Sequence, residues 1–339
     1  MTDPLPDPRR AYDPEDQPES TDDQPKEDAG SDCSPDDTAD PQHSTLFTDH
    51  ARRFQSLKYV YPVISRRAAG LSIGIDLSPA HRCTFRCVYC QIDRSGGAKS
   101  RADSLESCGQ NAKIDMELLA DELRTVVESV VSGEIFQTGR FQSTPEPMRR
   151  LNDIALSGSG EPTSSPYFAD VCQIAASVRS EYKLDELKPP MKIIVITNST
   201  LLDRPTVQRG LEILDGAGGE IWAKLDAGTE AYYKTISRSG IPLSRILSNI
   251  VDASGPRPII IQTLMMQVDG EAPSEEEIDA YSDRLLEIRQ AGGRIREIHL
   301  HTVARPPAES NIAPLDHDTI EKIANRIRRH CKMPVAVFH

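Results

Sequence analysis

Residues 71–90 read LSIGIDLSPAHRCTFRCVYC, and this stretch predicts a strand that leads directly into a loop with three cysteines. Residues 71–78 alternate apolar with small or polar side chains, which is typical of a short buried strand. Cys83, Cys87 and Cys90 follow at spacings of four and three residues. Three close thiolates can hold iron or zinc, whereas a closed tetrahedral site needs four ligands. The loop therefore predicts a metal site with one coordination position open to a molecule other than the protein.

The charge of the chain is concentrated near its N-terminus. Of the 339 residues, residues 1–44 hold 14 Asp and Glu against 3 Lys and Arg, while the rest is nearly neutral, with 38 acidic and 36 basic residues. Residues 1–44 are also rich in proline and poor in branched apolar residues, so they cannot bury enough surface to offset the entropy of ordering. We predict a disordered acidic tail over 1–44 and one folded domain over 45–339, with short extensions at its two ends.

Composition also limits the class of protein. No apolar run approaches the length of a membrane span, and the acidic, proline-rich start is unlike a secretory or transit peptide. Seven cysteines in a chain of this length do not make a disulfide framework. We expect a cytoplasmic protein that has no membrane partner.

Strand and helix patterns alternate along the rest of the chain. Strands are predicted at 71–78, 154–157, 191–197, 220–225, 258–265 and 296–303, with a short apolar run at 335–338. Helices are predicted at 115–132, 166–180, 203–215, in short pieces through 230–253, at 273–291 and at 316–330. Such alternation indicates βαβ units and a parallel sheet, and six units can curve into an open barrel. The predicted fold is α/β, a partial (βα)6 barrel of parallel strands with outer helices.

Unusual polar residues follow these strands at the edge where parallel α/β folds bind ligands. They are residues 157–163, 197–199, 224–228 and 262–263, together with His299, His301, Thr302 and Arg305. Each has a purely structural alternative. The glycines around Ser159 can form a simple turn, Lys224 and Asp226 can form a structural ion pair, and the histidines can be satisfied core or rim residues. For the cysteines, the alternative metal is zinc, with His81 or Cys108 as fourth ligand.

Two motifs together resemble a known family. The pattern Cys-x-x-x-Cys-x-aromatic-Cys after the first strand, with Gly-x-Gly-Glu-Pro after the second, resembles the radical S-adenosylmethionine (SAM) superfamily. Residues 65–76 (SRRAAGLSIGID), 88–94 (VYCQIDR) and 302–309 (TVARPPAE) are similar to a bacterial subgroup related to the tRNA wyosine-base synthases. The likeness covers roughly residues 59–310.

The resemblance implies a [4Fe-4S] cluster and SAM as cofactors. In this family a reduced cluster cleaves SAM to methionine and a 5′-deoxyadenosyl radical, which abstracts hydrogen from the substrate. The cofactors carry the difficult chemistry, while the protein orients and tunes them. By this resemblance the chain is an iron–sulfur enzyme that acts on an unidentified substrate. The candidates are an RNA base, or alternatively a small molecule or peptide; a zinc-binding interaction module is a different class that remains open.

The resemblance also implies roles for individual residues. Cys83, Cys87 and Cys90 would ligate the cluster, and Tyr89 would pack on the adenine of SAM. Gly158 and Gly160 would let the backbone approach the methionine part of SAM, and Glu161 would accept from its ammonium. Candidates for the SAM carboxylate and ribose hydroxyls are Asn198, Lys224 and Asp226; Gln262, His301 and Arg305 would face the substrate. The candidate catalytic residues are Lys224, Asp226 and Arg305.

One departure from the family pattern concerns a second cluster. Wyosine-forming enzymes carry a second set of cluster cysteines toward the N-terminus, where this chain has only Cys33. We therefore expect no second cluster, and an electron donor that is a separate protein of the flavodoxin or ferredoxin type. A tRNA or another RNA is the expected macromolecular substrate.

Overall fold

The computed structural model describes residues 54–65, 69–77, 83–92, 113–137 and 139–338, and the fold is given for these residues. They all belong to one compact unit, Asp40–His339. The predicted tail at 1–44 and the candidate zinc ligands His81 and Cys108 lie outside the described residues. The division into tail and domain stays a prediction.

Eight strands form the main sheet of the described part, in the order β1-β2-β3-β4-β5-β6-β8-β10. Strand β1 pairs antiparallel with β2, and the other neighbours are all parallel. The short strands β7 and β9 form a separate antiparallel pair. The strands are β1 (Val60–Ser65), β2 (Gly70–Ile75), β3 (Leu151–Leu156), β4 (Lys192–Thr197), β5 (Glu220–Lys224), β6 (Ile259–Leu264), β7 (Gln267–Val268), β8 (Ile295–His301), β9 (Ile312–Ala313) and β10 (Val335–Phe338).

Helices follow most strands, as the alternating pattern predicts. They are α1 (Met116–Val131), α2 (Phe168–Glu181), α3 (Pro205–Gly216), α4 (Glu230–Ile236), α5 (Leu243–Ser254), α6 (Glu275–Gln290) and α7 (His317–Cys331). Local capping fixes where they begin: the Asp115 carboxylate accepts from the Leu118 N–H at 3.1 Å, and the Ser274 hydroxyl accepts from the Glu277 N–H at 3.2 Å. Such caps satisfy backbone donors that the first helical turn leaves unpaired. The fold is the predicted partial barrel with outer helices, and that prediction is confirmed.

The parallel strands bury side chains on both faces. Residues such as Ile154, Ile193 and Ile261 belong to the large core that also contains the helices. The alternate residues of the central strands form a second, smaller apolar cluster on the inner face, made of Ala155, Ile194, Trp222 and Ile260. Strands covered on both faces read as nearly continuous apolar runs, which is why the sequence pattern located them well.

Strand β1 was not predicted from the sequence. The sequence analysis did not assign a strand to residues 60–65, because its strand–helix alternation begins only with β2. The stretch nevertheless reads VYPVIS, with a proline that is tolerated where a strand lies at the edge of a sheet. Its Tyr61 ring lies over β2 at Gly74, where a Cβ atom would come within 2.2 Å of the tyrosine ring. The Tyr61 ring occupies the space that a side chain at residue 74 would need, which explains the glycine at this position.

Candidate functional site

A cavity of about 360 Å³ lies on the inner face of the sheet, at the C-terminal ends of the strands. It collects most of the residues that the sequence singled out. Those that line it are Cys83, Cys87, Cys90, Tyr89, Gly158, Gly160, Glu161, Asn198, Lys224, His301 and Arg305. Two predicted site residues, Asp226 and Gln262, are buried but do not line the cavity. The strand ends thus bring cysteines, a carboxylate and cations to one place.

The cysteine loop is anchored by the end of α4. The Arg86 N–H donates to the Ser237 carbonyl at 2.8 Å, and the Val88 N–H donates to the Ile236 carbonyl at 2.9 Å. The Phe85 ring packs edge-on against Tyr233, with 5.7 Å between ring centroids. These contacts fix the backbone on both sides of Cys87. Burial raises the pKa of the Cys87 thiol to about 11, and the nearby Lys224 ammonium opposes that rise.

Glu161 is a buried carboxylate that ties the second motif to β4. Its Oε1 accepts from the Thr163 and Thr197 hydroxyls at 2.6 and 2.7 Å and from the Thr163 N–H at 3.2 Å. Its Oε2 accepts from the Asn198 N–H at 2.7 Å. Burial raises the pKa of Glu161, while these hydrogen bonds oppose that rise. The carboxylate is therefore held in one orientation, with fewer partners on Oε2 than on Oε1.

Asn198 links β4 to the cysteine loop. Its side-chain amide donates to the Thr84 hydroxyl at 2.7 Å and lies 3.6 Å from the Cys83 sulfur. Its side-chain oxygen accepts from the Thr200 N–H and hydroxyl at 3.1 and 2.7 Å. The turn that permits these contacts places Ser199 at φ 67°, in the left-handed region. Asn249 of α5 holds that turn by donating to the Ser199 carbonyl at 2.8 Å.

Replacing Ser199 with glycine is expected to stabilise the protein by about 1 kcal/mol. A left-handed serine is strained, and its buried hydroxyl has no hydrogen-bond partner among the described residues, so glycine removes two unfavourable features at a small entropic cost. Urea unfolding of the metal-free chain measures the change. Ser199→Ala keeps the backbone strain and removes the hydroxyl, so its stability should lie between that of the wild type and that of Ser199→Gly. A Ser199→Gly variant less stable than Ser199→Ala would contradict this account of the turn.

Lys224, Asp226 and Tyr89 form one connected group. The Tyr89 hydroxyl donates to Asp226 Oδ2, the Lys224 ammonium lies 3.7 Å from the same oxygen, and Oδ1 accepts from the Leu264 N–H at 2.8 Å. The ammonium also lies 4.6 Å from the centroid of the Tyr89 ring, a cation–π contact. Burial raises the pKa of Tyr89, and Asp226 raises it further. The ion pair between Lys224 and Asp226 is present, and Asp226 already has internal partners for both oxygens.

Packing within the chain explains why residue 158 is a glycine. A Cβ atom there would come within 2.4 Å of the Asp76 carboxylate, which also accepts from the Ser159 hydroxyl at 2.6 Å. The motif after β3 is therefore packed against the end of β2, one residue beyond that strand. The proposed contact of Gly158 with a cofactor stays a prediction. Further round the rim, Arg305 donates to the Gln91 side chain at 3.0 Å, which joins the segment after β8 to the cysteine loop.

Several residues of the site were missed by sequence reasoning. Thr200 and Asn249 orient the predicted residues through hydrogen bonds, and Tyr61 and Phe338 line the cavity from the two edge strands. The run of threonine, asparagine and serine at 197–200 was a usable signal, because such residues form local turns after strands. No local signal marks Asn249, because its role depends on how α5 packs.

The residues present suit an iron–sulfur cluster with SAM. Three partly buried thiols line the cavity, and in a four-iron cluster cysteine thiolates ligate the irons. Among the described residues, no three side chains of His, Cys, Asp or Glu are placed to hold one metal ion. Beside them are a buried carboxylate, Glu161, and an ammonium, Lys224, which suit the amino and carboxylate groups of an amino acid.

The fold is a partial barrel whose cavity holds donors that suit an iron–sulfur cluster, and comparison with known sequences supplies the family. The sequence profile of the Radical SAM superfamily matches residues 77–281. The chain belongs to the radical SAM superfamily, whose members are enzymes that use a [4Fe-4S] cluster and SAM. The resemblance found in the sequence is thereby confirmed. No helix in the described part is long and apolar enough to cross a membrane.

Individual relatives are distant. A UPF0026 protein of Helicobacter pylori is 23% identical over 247 residues, which are 72% of this chain and 66% of that protein. A UPF0026 protein of Methanocaldococcus jannaschii is 25% identical over 270 residues, 77% of this chain and 68% of that protein. The chain thus spans about two thirds of the length of these relatives.

Two solved structures are similar. A radical SAM methyltransferase from Sphaerobacter thermophilus has a TM-score of 0.52 and 11% identity, over 82% of this chain and 68% of that one, and it supports the fold. The crystal structure of archaeal TYW1 has a TM-score of 0.43 and 15% identity, over 85% of this chain and 80% of that one.

Proposed function

We propose that Cys83, Cys87 and Cys90 bind the [4Fe-4S] cluster and that the adjoining cavity binds SAM. The observation that carries this proposal is that the three cysteines, Glu161 and Lys224 line one cavity at the strand ends. When bound, the cluster and SAM supply a 5′-deoxyadenosyl radical that abstracts hydrogen from the substrate.

The side chains of the cavity divide the work of binding SAM. Glu161 Oε2 would accept from the ammonium of SAM, because among the described residues that oxygen has only the Asn198 N–H as its donor. Lys224 attracts the carboxylate, and the Tyr89 ring supports the adenine. The backbone at Gly158 and Gly160 borders the methionine part. Asp226 is a positioning residue, because it holds the hydroxyl of Tyr89 and the ammonium of Lys224 in place.

Anaerobic reconstitution tests this function. The chain is loaded with iron and sulfide, reduced with dithionite and supplied with SAM. We expect visible-range absorbance, about four irons per chain and 5′-deoxyadenosine as a product. Zinc near one per chain without visible absorbance would instead identify a zinc-binding interaction module, and no cluster with all three cysteines intact would overturn the proposal.

For the substrate we propose an RNA base. The support is the likeness of residues 65–76, 88–94 and 302–309 to the subgroup related to the tRNA wyosine-base synthases. The cavity, at about 360 Å³, is near the lower end of ligand pockets, which suits a cofactor beside the reacting part of a larger molecule. Nucleosides from a deletion strain should lack one modification found in the parent. An unchanged nucleoside profile would favour a small molecule or peptide.

A further inference from the structure

The outer surface of the cysteine loop carries a positive charge that no other described residue neutralises. Within residues 83–92 only Arg86 and Gln91 are exposed. Arg86 is the only charged residue of this segment, and its guanidinium forms no hydrogen bond or ion pair with another described residue. It directly precedes Cys87 in the chain.

The neighbouring charges are paired. Arg86 N–H is bonded to Ser237, and the next residue, Arg238, makes a two-pronged ion pair with Glu309 at 2.6 and 2.9 Å. Lys234 of α4 lies 3.6 Å from Glu230. Among the described residues on this side of the loop, the uncompensated charge therefore comes from Arg86. Residues 45–339 are nearly neutral overall, with 38 acidic and 36 basic residues.

We propose that Arg86 is the contact point for a small acidic protein that delivers electrons one at a time to the group held by the three cysteines. An acidic carrier is attracted where Arg86 stands, because residues 45–339 are nearly neutral overall and an unpaired positive charge next to the cysteines then orients the carrier. The position suits the task, because Arg86 is covalently next to a cysteine ligand. The inference rests on the proposed function and adds where its electron donor docks.

The exchange is a single electron transfer. The carrier's reduced iron–sulfur group would lose one electron, and the cluster that Cys83, Cys87 and Cys90 would hold would accept it. No bond forms or breaks, and no proton moves. Docking then requires only that the two groups come close, which a weak and salt-dependent contact achieves.

The test compares charge variants of the reconstituted full chain with a reduced acidic [2Fe-2S] ferredoxin as the probe. Anaerobic stopped-flow absorbance gives the second-order rate constant for electron transfer at several ionic strengths. We expect Arg86→Glu to lower that constant about tenfold at ~0.05 M salt, and Arg86→Gln to lower it about threefold. Both differences should shrink toward none at ~0.5 M salt, because screening removes electrostatic steering.

The matched control is Lys322→Glu, which makes the same change in net charge on α7. Lys322 is exposed on α7, which packs against α6 and β10, and it does not line the cavity that holds the cysteines. We expect its rate constant to stay within about twofold of the wild type. Equal slowing of Lys322→Glu and Arg86→Glu would overturn the docking site, as would slowing by Arg86→Glu that is independent of salt. Failure of the wild-type chain to form any cluster would overturn the proposed function as well, so the two failures are distinguishable.

Discussion

Replacing Cys87 with alanine is expected to abolish iron–sulfur binding and the cleavage of SAM. The cavity offers three thiols, and the cluster has no fourth protein ligand in the proposed site, so two thiolates hold it too weakly. After reconstitution, visible absorbance should be lost, iron should fall from about four per chain to near none, and 5′-deoxyadenosine should fall more than about 100-fold.

Cys172→Ala is the matched control for that variant. Cys172 is a fully buried cysteine of α2 that belongs to the large core and does not line the cavity. Cys172→Ala removes one buried sulfur, so we expect a modest loss of stability. After reconstitution this variant should keep its iron, its visible absorbance and the formation of 5′-deoxyadenosine. If Cys87→Ala kept a full complement of iron and its absorbance, the assignment of the ligands would be wrong.

Replacing Glu161 with glutamine is expected to weaken both the fold and the binding of SAM. All four described hydrogen bonds to this side chain are donated to it, and an amide group necessarily turns its NH₂ toward one of those donors. Facing Asn198, that NH₂ leaves a buried N–H unpaired. We expect a loss of about 2 kcal/mol in the free energy of unfolding and at least tenfold weaker binding of SAM.

Urea unfolding of the metal-free chain separates the structural part of this effect from the loss of a ligand contact. The control is Glu212→Gln, an exposed position on α3 where the same substitution should change stability by less than about 0.5 kcal/mol. Unchanged unfolding with weaker SAM binding would show that Glu161 acts only on the ligand. Unchanged behaviour in both measurements would remove Glu161 from the site.

Sequence reasoning located the cavity because the fold places all strand ends at one edge. The alternation of strands and helices predicted the partial barrel, and a parallel sheet then brings residues that follow each strand to the same side. Cys83, Glu161, Asn198 and Lys224 come from four different strand ends and line one cavity. This part of the site follows from topology without knowledge of any side-chain contact.

The contacts that each side chain makes within the protein could not be predicted in the same way. Asp226 looked equivalent to Lys224, two residues earlier, yet its oxygens are taken by Tyr89, Lys224 and the backbone of Leu264. Gly158 was predicted to allow close approach of a ligand, and the structure adds that a side chain there would meet the Asp76 carboxylate. Such pairings depend on distances between strands that are far apart in the chain, which residue type and spacing do not encode.

The inner apolar cluster of Ala155, Ile194, Trp222 and Ile260 has a consequence for kinetics. Ala155 itself lines the cavity, and the other three precede the lining residues Ile196, Lys224 and Leu264 along their strands, so the cluster lies at the floor of the cavity. Molecules that share a cavity with a closed floor pass through the same mouth, and the deeper one arrives first and departs last. We therefore expect sequential steady-state kinetics with a compulsory order, in which excess substrate traps the cofactor and slows its exchange.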